Sequence, residues 1–399
     1  MIVTRLETIR LQEFGNVLWL KVHTDEGLYG LGESFMWPST VEAHIHERIA
    51  PYLIGRDPLE IDNHWRNLYG YLGFRSTGAE MRAVSALDIA LWDLWGKATL
   101  QPCYQLLGGR TRESIRTYNT CAGYRYIRSG VGQTVGNFGL PVGKAQGPYE
   151  DLEGFLHRAD EVALSLLDEG ITAMKIWPFD FAAAETSGMY VTAAQLKAAL
   201  EPFEKIRRAV GDRMDIMVEF HSLWNLPAAV KIAAALEPYS PYWMEDPIKV
   251  DSVANLAEYR ARTRCAVTAS ETMATRWGFR DLLEARACDF VMPDVGWCGG
   301  LGEAKKIATM AEAYSVPIAP HDCTGPVVLA ASTHLAMNAP NAVFQESVRA
   351  FYTGWYQEIV TGLPQVKAGQ ISVGSAPGHG VDLAAGTLKR PDVSIGISK

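Results

Sequence analysis

Three glutamates stand at equal steps of 26 residues: Glu219, Glu245 and Glu271. Each closes a short apolar run, Asp215-Ile-Met-Val-Glu219, Tyr242-Trp-Met-Glu245 and Ala266-Val-Thr-Ala-Ser-Glu271. A step of that size holds one strand, one crossover helix and two short loops, so the runs read as successive parallel βα units. In a closed βα barrel every strand opens its carboxyl end on the same face, and the three carboxylates would meet there. Gathered carboxylates repel one another unless a hard cation sits among them, and ligation by oxygen alone suits Mg²⁺. One such Glu would be an ordinary solvated loop residue. Three at equal spacing, each after a buried strand, predict a metal site.

Other strand ends add to the same mouth. Asp294 closes Phe290-Val-Met-Pro-Asp294, and His321 closes Val316-Pro-Ile-Ala-Pro-His321. A carboxylate beside an imidazole fixes its tautomer and raises its basicity, so this pair predicts an acid/base dyad. Lys175 lies just inside the end of the run 172–177, and Glu346 closes the run 341–346. His221 follows Glu219 by two, and strand alternation predicts that both point the same way.

The elements needed to position these groups are legible in outline. Counting from Ile115 gives eight strands and seven intervening segments, with the last strand running into the C-terminal tail. Helices are predicted over Glu153 to Glu169 and over Thr192 to Val210, the latter capped by Thr192 and stopped by Gly211. Pro178 opens a loop. Residues 1–113 read as a separate α+β domain, with strands up to about 33 and helices over 40–54 and 58–71. Its long helix, from Ala79 to Leu100, carries Val84, Leu87, Ala90, Leu91, Leu94 and Trp95 at three- and four-residue steps. Residues 114–354 form the barrel, and 355–399 return to the first domain as irregular strands and loops. The tract from Ser129 to Gly147, with six glycines, is expected to cover the mouth.

Composition excludes several function classes. The chain has 399 residues, 48% hydrophobic and 21% charged, with net charge −8. No Lys/Arg block marks a nucleic-acid partner. The N-terminus lacks the apolar core of a signal peptide, and no apolar run is long enough for a membrane span. Six scattered cysteines are expected to be free thiols in a reducing cytoplasm.

With Glu219, Glu245 and Glu271, the Asp294–His321 pair, Leu87-Asp-Ile-Ala-Leu-Trp-Asp93 and Leu106-Leu-Gly-Gly109, the sequence resembles the enolase superfamily, mandelate racemase subgroup. The resemblance covers nearly the whole chain. It implies a (β/α)7β modified TIM barrel and a capping domain built from the N-terminal region and the C-terminal tail. It implies one Mg²⁺ on the three glutamates and removal of the proton α to a carboxylate, giving a metal-stabilised enediolate. It gives Lys175 the place of a lysine that binds a substrate carboxylate oxygen. Racemases of the subgroup have a second lysine two residues on, where this chain has Trp177, and Trp cannot carry a proton. Glu219 stands where many members have Asp.

The segment Glu219-Phe-His221 is similar to the Asp-Phe-His of acid-sugar dehydratases of the D-galactonate dehydratase type, in which the histidine protonates the departing 3-hydroxyl. The expected activity is therefore a Mg²⁺-dependent hydro-lyase giving a 2-keto-3-deoxy sugar acid. A sugar-acid epimerase or racemase, or a sugar-lactone cycloisomerase, would use the same enediolate. A non-catalytic sugar-acid binder on the same scaffold is the third alternative. The reacting set is His321, Asp294, His221, Lys175 and Glu346, with Lys175, Trp177 and Glu346 also contacting substrate. The expected partners are a small acid sugar and further copies of the chain, since barrels of this kind often associate.

Overall fold

The computed structural model describes residues 1–71, 74, 75, 77–124, 147 and 149–399. Apart from Gly147, the glycine-rich tract expected to cover the mouth lies outside the described residues.

Strand Ile115–Thr120 opens the barrel and pairs in parallel with Ala173–Ile176. The ladder continues in parallel through Asp215–Glu219, Trp243–Glu245, Val267–Ala269 and Phe290–Val291. The seventh position is thinner than predicted. It is held by single bridges, Ile318 to Val291 and to Ala342, and His321 to Asp294. Pro317 and Pro320 flank Ile318 and Ala319 and have no N–H to donate, so the ladder cannot lengthen there. Gln345–Ser347 pairs with Thr117–Asn119 and closes the ring.

The barrel floor is apolar. Tyr118, Met217, Trp243, Met292 and Phe344 form a buried cluster, with Tyr118 and Trp243 edge to face at 5.4 Å. Side chains alternate along a strand, so Glu219 and Glu245 share the face of Met217 and Trp243 one layer higher. The floor leaves their carboxylates only the carboxyl-end mouth to occupy.

The first domain is an antiparallel sheet of Val3–Leu11, Val17–Thr24 and Tyr29–Phe35. The chain's end, Val393–Ser398, pairs with Val3–Leu11, so the tail does return to this domain. It braces the barrel on the way: the hairpin Gln365–Lys367 and Gln370–Ser372 pairs with Ile115 and Arg116. Helix Ala79–Thr99 lies directly on the sheet. A Cβ at Gly30 or Gly32 would come within 1.8 or 1.9 Å of a helix carbonyl, Ala90 or Ala86, so only glycine permits that approach.

Two segments depart from expectation. The helix expected over Glu153 to Glu169 is two, Asp151–His157 and Ala159–Asp168, broken at Arg158. Asp151 and Glu169 both bind the buried Arg349, at 2.7 and 2.6 Å, and the break lets both reach it. The loop expected after Pro178 is instead a helix, Asp180–Thr186.

The acidic residues of the 87–93 motif tie the long helix to the barrel, to its own sheet and to the tail. Asp88 accepts the N–H of Gly302 at 2.9 Å, and Asp93 accepts those of Leu31 at 2.9 Å and His379 at 3.2 Å. Glu33 reaches from the sheet to the start of helix Pro326–Asn338, accepting from Val327 and Val328 at 3.1 and 2.9 Å and from Trp19 Nε1 at 2.8 Å. Glu33→Ala leaves three buried donors without an acceptor and is expected to cost about 3 kcal/mol or more. The urea midpoint measures it; a loss below about 1 kcal/mol would mean the carboxylate does not hold the domains together.

Candidate active site

The three equally spaced glutamates meet in three dimensions. Glu219 and Glu245 are direct cross-strand partners, and Glu271 lies just beyond the next strand. Each offers one oxygen, and these oxygens all lie within 4.8 Å of one another. Burial pushes the Glu219 carboxyl up to about 8. Burial and then the neighbouring Glu219 charge push Glu245 well above the usual carboxylate range. Glu219 Oε2 is buried without a hydrogen bond among the described residues. A buried hard oxygen in that state, facing two further carboxylates, fits a divalent cation.

Lys175 lies among the same groups. Its Nζ stands 2.5 Å from Glu245 Oε1, 2.9 Å from Glu346 Oε1 and 3.6 Å from Glu219 Oε2. Burial disfavours the ammonium, but these carboxylates outweigh it and hold Lys175 charged. Glu346 also accepts the Thr120 hydroxyl and, at 2.9 Å, the N–H of Asp322. It thus ties the eighth strand to the first strand and to the turn after His321.

His321 is held from both sides. Its Nδ1 is 2.6 Å from Asp294 Oδ2, and its Nε2 is 2.7 Å from Glu271 Oε2. Burial opposes the imidazolium, but Glu271, Glu346 and Asp294 together raise it well above the usual histidine value. Trp297 packs beside the ring at 5.4 Å.

The reason expected for His221 fails, although it lies beside the site. The strand ends at Glu219, and His221 takes a left-handed backbone with φ +48°. Alternation therefore does not aim its ring. Its N–H instead donates to Glu219 Oε1 at 2.5 Å, and its Nδ1 meets Asp180 Oδ2 at 2.5 Å. Burial disfavours the charged ring, but Asp180 outweighs it and raises His221. Asp180 was missed by reading strand ends, because it lies three residues past Trp177 in the first turn of a helix read as loop. An acidic residue just after Pro178 was the available signal for a helix start. Trp177 is buried against Phe155 at 5.0 Å and His221 at 5.9 Å, so the second-lysine position is an aromatic wall.

The arrangement is therefore a three-carboxylate cluster, one ammonium and two separate His–Asp pairs. Glu271 interacts with both imidazoles. Among the described residues no helix is long and apolar enough to cross a membrane.

The chain is similar to known proteins over nearly its whole length. Residues 158–386 match the enolase C-terminal domain-like family, and residues 4–108 match the mandelate racemase / muconate lactonizing enzyme N-terminal domain. The D-galactonate dehydratase of Ralstonia nicotianae is 33% identical over 393 residues, 96% of this chain and 92% of its own. That of Pectobacterium atrosepticum is 33% identical over 348 residues, 87% of this chain and 81% of its own. A crystal structure of an enolase of the mandelate racemase subgroup from Agrobacterium tumefaciens is 55% identical with TM-score 0.88, covering 100% of this chain and 99% of that one. An enolase protein from the Sargasso Sea environmental genome is 41% identical with TM-score 0.88, covering 100% and 98%. The chain belongs to the enolase superfamily, in its mandelate racemase / muconate lactonizing enzyme family.

Proposed function

We propose that this protein is a Mg²⁺-dependent acid-sugar dehydratase, a carbon–oxygen lyase. The observation that carries the reading is the presence of two independently held histidines, His321 on Asp294 and His221 on Asp180. Elimination of water needs one group to take the α-proton and another to protonate a poor leaving group. Full-length relatives named D-galactonate dehydratase support the same class.

Bound by Glu219, Glu245 and Glu271, Mg²⁺ would supply positive charge for the substrate carboxylate as it gains electron density. Lys175 binds an oxygen of that carboxylate, and Glu346 and Glu245 keep its ammonium charged and in place. His321 takes the α-proton on Nε2 while Asp294 holds Nδ1. The electron pair of the C–H bond first moves into the substrate carboxylate, giving an enediolate; it then returns to form the Cα–Cβ double bond as the bond from Cβ to its hydroxyl oxygen breaks. His221 gives that oxygen a proton, and water leaves. The enol then tautomerises to the 2-keto-3-deoxy acid. Trp177 offers no proton on the face where a second lysine would stand, so this reading disfavours a lysine-based racemisation.

The two steps should separate on mutation. His221→Asn is expected to keep exchanging the α-proton of a bound sugar acid in D₂O while dehydration falls about 10²–10⁴-fold. Asp180→Asn should produce a smaller loss in the same step. Normal dehydration by His221→Asn at saturating substrate would remove the acid role from that residue. Mass spectrometry reads the reaction class: a product of unchanged mass would mean an isomerase working through the same two histidines.

A further inference from the structure

Arg82 lies in the first turn of helix Ala79–Thr99, on the capping-domain side of the mouth. Its guanidinium is 4.1 Å from the centre of the Trp297 ring and 5.2 Å from that of Trp37. Trp297 in turn packs 5.4 Å from His321. Arg82 is therefore no farther from the reacting imidazole than those two ring distances laid end to end, a gap that a six-carbon chain bridges.

Among the described residues this guanidinium has one hydrogen-bond acceptor, the backbone carbonyl of Phe35 at 3.0 Å, and no carboxylate. The remaining residues, 72, 73, 76, 125–146 and 148, include no Asp or Glu to supply one. Other partly buried arginines here are better satisfied: Arg276 is bidentate to Glu303, Arg349 binds Asp151 and Glu169, and Arg112 and Arg207, which lack a carboxylate, donate to three and four backbone carbonyls. Desolvating a cation is costly unless an anion is present, and tryptophan faces offset only part of that cost. Burial lowers Arg82 to about 10, and the nearest charges opposing this are Asp294 and Glu271, both in the site. The planar guanidinium, with several N–H groups still to direct, matches a carboxylate in two-pronged fashion.

We infer that Arg82 receives a second carboxylate, at the far end of the substrate, so that the protein acts on acid sugars carrying a carboxylate at each end. This deepens the dehydratase reading and rests on it. Lys175 and the glutamate cluster hold the carboxylate next to the reacting carbon, at the barrel axis. Trp297 spaces the chain between His321 and Arg82, and Trp37, on the loop after strand Tyr29–Phe35, lies with its ring centre 5.2 Å from the guanidinium. The capping domain then reads the length of the substrate and its terminal charge, while the barrel performs the reaction.

The test compares a hexarate with the hexonate of the same configuration, using the full chain with Mg²⁺. Wild type is expected to prefer the hexarate in kcat/KM. Arg82→Gln should reduce the hexarate-to-hexonate ratio about 10–100-fold, chiefly through KM, the value of one charge-assisted contact. Arg82→Lys should restore part of the ratio. A wild-type preference for the hexonate would overturn the inference. So would an equal loss on both acids in Arg82→Gln, which would make Arg82 a partner of the Asp294–His321 pair instead. Calorimetric binding of both acids to His321→Asn, with and without Arg82→Gln, reads the same preference without turnover. If neither acid loses water, the dehydratase reading fails, and the calorimetric preference still decides the role of Arg82.

Discussion

Glu245→Gln is expected to abolish turnover while the protein stays folded. Glu245 contributes to the three-oxygen cluster, and its Oε1 is also the nearest partner of Lys175 at 2.5 Å. Exchanging it for an amide removes one charged ligand and loosens the ammonium meant for the substrate carboxylate. Losing several kcal/mol of transition-state stabilisation corresponds to about three decades or more in kcat. Stability should move little, or upward, in a metal-free buffer. A neutral isostere relieves repulsion among the buried carboxylates, and Lys175, which loses Glu245 as an ion partner, keeps Glu346 at 2.9 Å. The amide can still accept from Trp243 Nε1, now 3.2 Å from Oε2. Calorimetric titration with Mg²⁺, turnover and thermal unfolding on one preparation check all three parts. Unchanged Mg²⁺ affinity would remove Glu245 from the ligand set, and collapse of the fold would make its role structural.

His321→Asn should stop α-proton exchange. The imidazole lies between Asp294 and Glu271 at 2.6 and 2.7 Å, and asparagine cannot accept a proton at that position. The expected loss of exchange in D₂O is about 10²–10⁴-fold, the range for a positioned general base. Asp294→Asn keeps the ring but loses the carboxylate that holds Nδ1, so it should bind substrate and exchange more slowly than wild type. Exchange at the wild-type rate in His321→Asn would mean that the base is elsewhere, with Lys175 next to be tested. The measurement is independent of water loss, so it judges the first step alone.

Both experiments concern residues that could be found from the sequence. The βα step is a local repeat: a strand, a helix and two loops consume a nearly constant length of chain. Equal spacing therefore places Glu219, Glu245 and Glu271 at one mouth before any tertiary contact is known. The same reasoning reached Asp294, His321, Lys175 and Glu346, each at or beside a strand end. The motif at 87–93 was legible as a pattern, but its job of docking the long helix through Asp88 and Asp93 was not.

Tertiary structure decided what crosses between elements. His221 was found, but its direction depends on a left-handed turn and on Asp180, 41 residues away. Strand alternation ends where the strand ends, so it had no authority over that ring. The seventh strand reads as a full strand from its apolar run, yet Pro317 and Pro320 reduce it to bridges. Arg82 carried no signal at all, since a single arginine in the first turn of a helix is ordinary in sequence. Its place beside both Trp37 and Trp297 exists only when the capping domain lies on the barrel. Repeat length and strand period follow from backbone geometry, so the sequence alone brought these side chains to one mouth. Side-chain partners far apart in the chain depend on how whole domains pack, so only the folded molecule shows Asp180 on the second histidine and Arg82 beside Trp37 and Trp297.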